Sequence, residues 1–207
     1  MGHVLARVSG YGWAIVPHWP FRLAHVDGNV RALRVERGGP TPKAATVTIE
    51  TSGPRLELSG TASAADVCDL TACDAPDGFR VETSVFAVGW PSGFDVVSGE
   101  PGGPSAFDFV SKEGSLLYVQ GPLDQSRVPR LESMAAPGQR LVDRGTHSAG
   151  EWIELSYEHG GQAHWQRHAT VRWTRETILV LTAQATAEQA DVTRAAASFA
   201  LGTLQRM

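Results

Sequence analysis

Cysteine is nearly absent from this chain, long apolar runs are missing altogether, and no block of like charge occurs in its 207 residues. Each lack removes a class of protein. The two cysteines, Cys68 and Cys73, share one acidic stretch, residues 66–74. Two thiols cannot fill a four-ligand metal site, and their spacing is not the C-x-x-C redox pattern. They read as ordinary thiols in or near an acidic loop, or as a local disulfide that would require an oxidising compartment. No apolar stretch approaches the roughly 20 residues of a membrane span. The formal net charge of −4 comes with no basic block, so nucleic acid is not an expected partner. The start, Met1-Gly2-His3-Val4, lacks the charged and apolar regions of a signal peptide. A cytoplasmic protein is expected, or a secreted or lipoprotein form if a leader has been removed.

Catalytic signatures are equally scarce. No Gly-x-Ser-x-Gly elbow is present. The loop Gly99-Glu100-Pro101-Gly102-Gly103 is not followed by the Gly-Lys-[Ser/Thr] that a phosphate loop needs. No cofactor is expected, no residue is singled out as catalytic, and the chain reads more as a binder than as an enzyme.

Present instead are a real core and much turn chemistry. A hydrophobic share of 42% against 19% charge suits a globular fold, and 22 glycines and 12 prolines punctuate short runs of period two. Residues 4–8 and 13–16 look like strand fragments beside a Pro-rich corner, and 30–36 alternates. A hairpin follows: Ala45, Val47 and Ile49 share one face of 45–50, Thr51-Ser52-Gly53-Pro54 turns the chain, and 55–59 returns. Residues 64–72 admit a short helix. The aperiodic stretch 60–78 reads as a boundary between a β-rich N-terminal segment, 1–75, and a second domain, 76–207. There 79–88, 94–97, 106–110 and 115–120 look like strands, and 129–135 like one or two helical turns stopped by Pro137-Gly138.

The last third is the most legible. Ile153, Leu155 and Tyr157 alternate with Trp152, Glu154, Ser156 and Glu158. The partner strand, 163–173, sets Trp165, Arg167, Ala169 and Val171 against His164, Gln166 and His168. A two-residue Gly160-Gly161 turn would pair Glu154 with Arg167; a one-residue bulge would bring Trp165 and Ala169 beside the apolar set. Turn chemistry favours the first and burial the second, and the bulge is the expectation. With Arg175-Glu176 at the next turn, Val171 should face Val180 and Trp173 should face Ile178. The strand 178–185, apolar on both faces, should lie centrally and be covered on both sides. Thr186 and Gln189 fit a capping box for a helix from Ala187, with Val192, Ala196, Phe199 and Thr203, beside Ala195 and Ala200, as its packing stripe.

Residues 151–157, the Gly160-Gly161 turn, the run Ile178-Leu179-Val180-Leu181-Thr182-Ala183-Gln184 and the closing helix resemble the PsbP-like superfamily, with Trp90-Pro91-Ser92-Gly93-Phe94 among its opening strands. That group includes a photosystem oxygen-evolving subunit, a Ran-binding nuclear import factor, and bacterial effector chaperones and lipoproteins. The resemblance covers about 79–204. It implies an α+β fold, an antiparallel sheet flanked by helices in an αβα sandwich, here with a β-rich N-terminal extension. It also implies protein binding rather than catalysis, as in an adaptor or chaperone.

Candidate binding residues are Trp152, Glu154, Trp165, Arg167, His164 and His168. An aromatic beside carboxylates suits a protein-binding surface, and Trp152 is the tryptophan most expected to be exposed. His164 and His168 lie roughly 13 Å apart in an extended chain, too far to share a metal ion. They serve equally as polar groups of a small-molecule pocket between the N-terminal segment and the C-terminal sheet.

Overall fold

A computed structural model describes residues 6–26, 30–50, 52–53, 55–74 and 77–207. Its strands run β1 (Arg7–Gly10), β2 (Trp13–Pro17), β3 (Phe21–Val26), β4 (Val30–Arg37), β5 (Lys43–Glu50) and β6 (Leu56–Gly60). One helical turn, α1 (Ala64–Val67), precedes β7 (Cys68–Ala72), β8 (Arg80–Glu82), β9 (Phe86–Gly89), β10 (Phe94–Ser98), β11 (Ser105–Ser111) and β12 (Leu116–Asp124). Then come β13 (Arg140–His147), β14 (Gly150–His159), β15 (Gln162–Arg172), β16 (Thr177–Thr186), helix α2 (Ala190–Thr203) and β17 (Gln205–Arg206). The chain divides into two compact units, Met1–Phe109 with Gly202–Met207, and Val110–Leu201.

The first unit contains an antiparallel sheet in the order β17-β9-β8-β1-β2-β7 and a run of strands in the order β11-β10-β3-β4-β5-β6. The hairpin of β5 and β6 forms, with Ala45, Val47 and Ile49 buried as alternation demands. Thr51 and Pro54 of its turn lie outside the described residues, as do Val4 and Leu5 and the proposed boundary at Ala75 and Pro76. Residues 79–88 make two antiparallel strands, β8 and β9, instead of one, because the Thr83 hydroxyl accepts from the Val85 and Phe86 N–H groups and turns the chain. Cys68 is buried, Cys73 is half-buried, and both are free thiols.

In the second unit the order is β13-β14-β15-β16-β12, antiparallel throughout. β16 lies centrally between β15 and β12, and its inner residues on both faces, from Ile178 to Ala183, are buried.

Three expectations are corrected here. The fold is β-rich, mostly antiparallel strand, and not an αβα sandwich; α2 is the single helix longer than one turn among the described residues. Pro129 and Pro137 break up the segment between β12 and β13, which manages only a 3-10 turn, Leu131–Met134. Residues 64–72 spend one turn as α1 and then extend as β7. No helical layer can be assembled from such pieces.

The second correction is register. Glu158 pairs with Ala163 and His159 with Gln162, without a bulge, and Gly160 (φ 61°) and Gly161 (φ 77°) both take the left-handed conformation of a two-residue hairpin turn. Burial had favoured the bulge on the premise that one face of the hairpin is wet. Both faces are covered, so the premise fails and turn chemistry decides. At the next turn Val171 pairs with Leu179 and Arg172 with Ile178, one residue away from expectation. There the Thr174 hydroxyl accepts from the Glu176 and Thr177 N–H groups, making a longer loop than a two-residue turn.

The third concerns α2. Thr186 forms no side-chain cap bond; a 3-10 turn, Ala187–Gln189, leads into the helix instead. Its buried face is Ala190, Thr193, Ala196, Ala197 and Ala200, while Val192 and Phe199 are exposed. The packing stripe is thus rotated from the expected one, because Arg194 and Ser198 must reach the sheet.

Candidate functional site

The second unit puts different chemistry on the two faces of its sheet. Alternation sends Trp152 and Glu154 of β14 to the same side as Trp165 and Arg167 of β15, since Glu154 stands directly opposite Arg167. Helix α2 lowers Arg194 onto this face. The Arg194 guanidinium donates to both Glu154 oxygens, Nε to Oε1 at 3.0 Å and Nη2 to Oε2 at 3.1 Å. Trp165 Nε1 donates to Oε2 at 2.9 Å, and Arg167 Nε lies 3.6 Å from Oε1. Arg167 also lies over the Trp152 ring at 4.2 Å and donates to Ser198 Oγ at 3.3 Å. Arg194 lies 5.2 Å over the Trp165 ring.

Glu154, Trp165 and Arg167 are therefore buried and Trp152 half-buried. Burial pushes the Glu154 carboxyl upward, but donation from Arg194 and Trp165 and the two positive charges outweigh it, so its pKa lies below the ordinary value. A carboxylate so saturated with donors is neither a general base nor a free ligand. Its work is to tie α2 to β14 and β15. These four candidate residues do come together, in a covered cluster rather than on an open surface. Arg194 was missed, although it is the sole basic residue in an α2 made largely of small residues, and a lone cation there needs a partner.

The opposite face carries His164, Gln166 and His168 of β15. His164 stacks on Tyr157, centroids 5.1 Å apart with planes 14° apart, and meets His159 edge to face at 6.2 Å. His168 stands apart from both. It is buried, and its Nδ1 lies 3.1 Å from the Thr182 hydroxyl on β16. Burial lowers its pKa, so the imidazole is held neutral. Among the described residues no group of three or more His, Cys, Asp or Glu is arranged to hold a metal ion.

Around His168 the sheet forms the floor of a cavity of about 570 Å³. Tyr118 and Gln120 of β12 and Val180 and Thr182 of β16 complete that floor, with Thr182 paired between Tyr118 and His168. The walls are Pro122 and Leu123 from the end of β12, then Val128, Pro129 and Met134 from the segment that leaves it. A register shift between Gln120 and Leu123 turns the chain out of the ladder at Gly121 (φ 117°), where an added Cβ would sit 2.9 Å from the Ile178 carbonyl. The departing segment is then pinned back over the same face. Leu131 packs in a core with Ile153 and Leu155, Met134 and Ala135 rest against it, and Gln139 Nε2 donates to Gln166 Oε1 at 2.6 Å. Asp124 and Arg127 form an exposed pair at the rim, 3.7 Å apart.

The cavity is built wholly from residues 118–182. Of the six candidates only His168 lines it. Tyr118, Thr182 and the wall residues went unnoticed, although Leu123, Val128, Leu131 and Met134 are a dense apolar set for an aperiodic, Pro-broken stretch. Such a set must bury itself against something.

The second unit is thus a β-rich domain whose antiparallel sheet carries a mostly apolar recess with a few polar groups on its floor. No family model matches the chain, and no curated protein matches it. Among solved structures it is similar to LpqN of Mycobacterium tuberculosis, described as involved in cell envelope biogenesis, at 15% identity with a TM-score of 0.44, over 59% of this chain and 83% of that one. A likeness of that degree assigns no ligand and no role. No helix among the described residues is long and apolar enough to cross a membrane.

Proposed function

We propose that the second unit is a non-catalytic binding domain that holds a small, largely apolar molecule in the cavity above His168. The observation that carries this reading is the cavity itself: about 570 Å³, apolar walls, and a floor with a few convergent polar groups. The His168–Thr182 pair could suggest a base and a nucleophile. It lacks the third group that orients such a base, because no carboxylate among the described residues bonds the imidazole. Binding is the simpler use of those groups.

A protein partner anchored on Trp152, Trp165 and Arg167 has less support. Trp165 and Arg167 are buried and Arg167 is committed to Glu154, Ser198 and the Trp152 ring.

Titration with the neutral fluorophore N-phenyl-naphthylamine tests the cavity. We expect saturable binding, one molecule per chain, with a blue-shifted emission. Val180→Trp should fill the recess and abolish binding, whereas Val192→Ser, on the exposed side of α2, should leave it unchanged. Binding that is absent, or indifferent to Val180→Trp, would refute the reading.

A further inference from the structure

Resting on that reading, we infer that the ligand is uncharged and carries a hydroxyl group, which it presents to His168 on the cavity floor. The floor is not uniformly apolar. Tyr118, Thr182 and His168 are register partners on β12, β16 and β15, so they form one polar row across three neighbouring strands. Adjacent strands are about 4.8 Å apart, and the row spans about 10 Å.

Within that row the hydrogen bonding is incomplete. Nδ1 of His168 and the Thr182 hydroxyl serve each other. His168 Nε2 and the Tyr118 hydroxyl have no hydrogen-bond partner among the described residues, yet both side chains line the cavity. Both atoms reach solvent in the open recess, so a bound molecule that displaces that water must supply a partner in its place or lose affinity.

The partner's chemistry follows from the donors and acceptors. If Thr182 donates to Nδ1, then Nε2 carries the proton and donates. If Nδ1 donates to Thr182, then Nε2 accepts. A hydroxyl satisfies either tautomer. An ether oxygen, which only accepts, serves one tautomer alone.

Charge argues the same way. The lining holds one acid and one base, Asp124 and Arg127, and these face each other at the exposed rim. Neither is left to neutralise a carboxylate or an ammonium group taken into the recess, and an unpaired charge there would be penalised by desolvation. His168 is held neutral by its burial and offers no countercharge.

The experiment is displacement of bound N-phenyl-naphthylamine by four molecules of equal chain length: dodecanol, its methyl ether, dodecanoate and dodecyltrimethylammonium, each below its micelle threshold. Dodecanol should displace at a concentration about tenfold lower than the methyl ether, the factor expected for one buried hydrogen bond, and lower than either ion. His168→Leu should remove the preference for the alcohol over its ether, each displacement being referred to that variant's own fluorophore affinity. His168→Gln, which keeps a donor and an acceptor, should restore part of it. Equal displacement by alcohol and ether, or preference for an ion, would overturn the hydroxyl assignment and leave the cavity standing. Fluorophore that never binds saturably overturns both.

Discussion

Glu154 is legible in the sequence as half of a pair and illegible as a buried residue. Alternation along β14 and β15 sets it opposite Arg167, as found. What covers the pair is Arg194, forty residues downstream on α2, and no local pattern announces it. Coverage decides the energetics. At an exposed position such a pair would contribute little, but Glu154 is 4% exposed and Arg167 7%. Removing the carboxylate leaves Arg167 buried beside a second guanidinium. Glu154→Ala should therefore destabilise the second unit by about 3–5 kcal/mol, the cost typical of breaking a buried ion pair from one side, read as a lower urea midpoint. Glu154→Gln keeps one acceptor oxygen for these donors and the volume of the side chain, so it should lose less than Glu154→Ala, although its amide NH2 cannot accept from Arg194 or Trp165. The first unit uses the same device: Glu82, also buried, accepts from Arg7 Nε and Arg80 Nε, each at 2.6 Å, and from the Ser9 hydroxyl.

Among the elements, the hairpin of β14 and β15 depends on two glycines that act only through their backbones. Gly160 and Gly161 are in the left-handed region with nothing within 4 Å of an added Cβ, so space is not the constraint and conformation is. Gly160→Val should cost about 1–2 kcal/mol, and Gly160→Asn much less, because asparagine tolerates this conformation; thermal unfolding compares them. Gly150, at the start of β14, is constrained differently. A Cβ there would fall 1.9 Å from the Thr170 carbonyl oxygen, which belongs to a backbone that cannot swing aside. Gly150→Ala should thus be worse than Gly160→Val although alanine is smaller. An opposite ranking would mean that the β14–β15 ladder shifts freely, contrary to its continuous register from Trp152 to His159. Strand periodicity made these elements readable one by one. The segment between β12 and β13 has no period to read, and from it comes the part of the cavity wall that closes over the strands.

At the scale of the whole molecule, most of the strands were visible but β3, β7 and β13 were not, and the error of class lay in expecting enough helix to enclose a sheet on both sides. Two prolines, Pro129 and Pro137, deny the segment between β12 and β13 that role, and side chains such as Leu131 and Met134 cover the sheet without one. The groups buried as a result set the response to acid. His168 is lowered from 6.5 by burial, so the unfolded chain binds its proton first. Stability from keeping this ring neutral is complete above about pH 6.5 and is lost as pH falls towards its folded value. Burial raises Glu82 and Glu154, but hydrogen bonds and neighbouring arginines reverse this and leave both below 4.5. Their contribution is present above about pH 4.5 and lost as pH falls through their folded values. Asp108, raised by burial, opposes this decline near its unfolded value of 3.8. Cys68, pushed up by burial to about 11, adds a loss on the alkaline side above its ordinary 9.0. Urea midpoints measured across pH should therefore fall in two stages, a first below about pH 6.5 and a second below about pH 4.5. His168→Leu should erase the first stage and keep the second. If the first stage survives that substitution, another group carries it and His168 is not held neutral by the cavity.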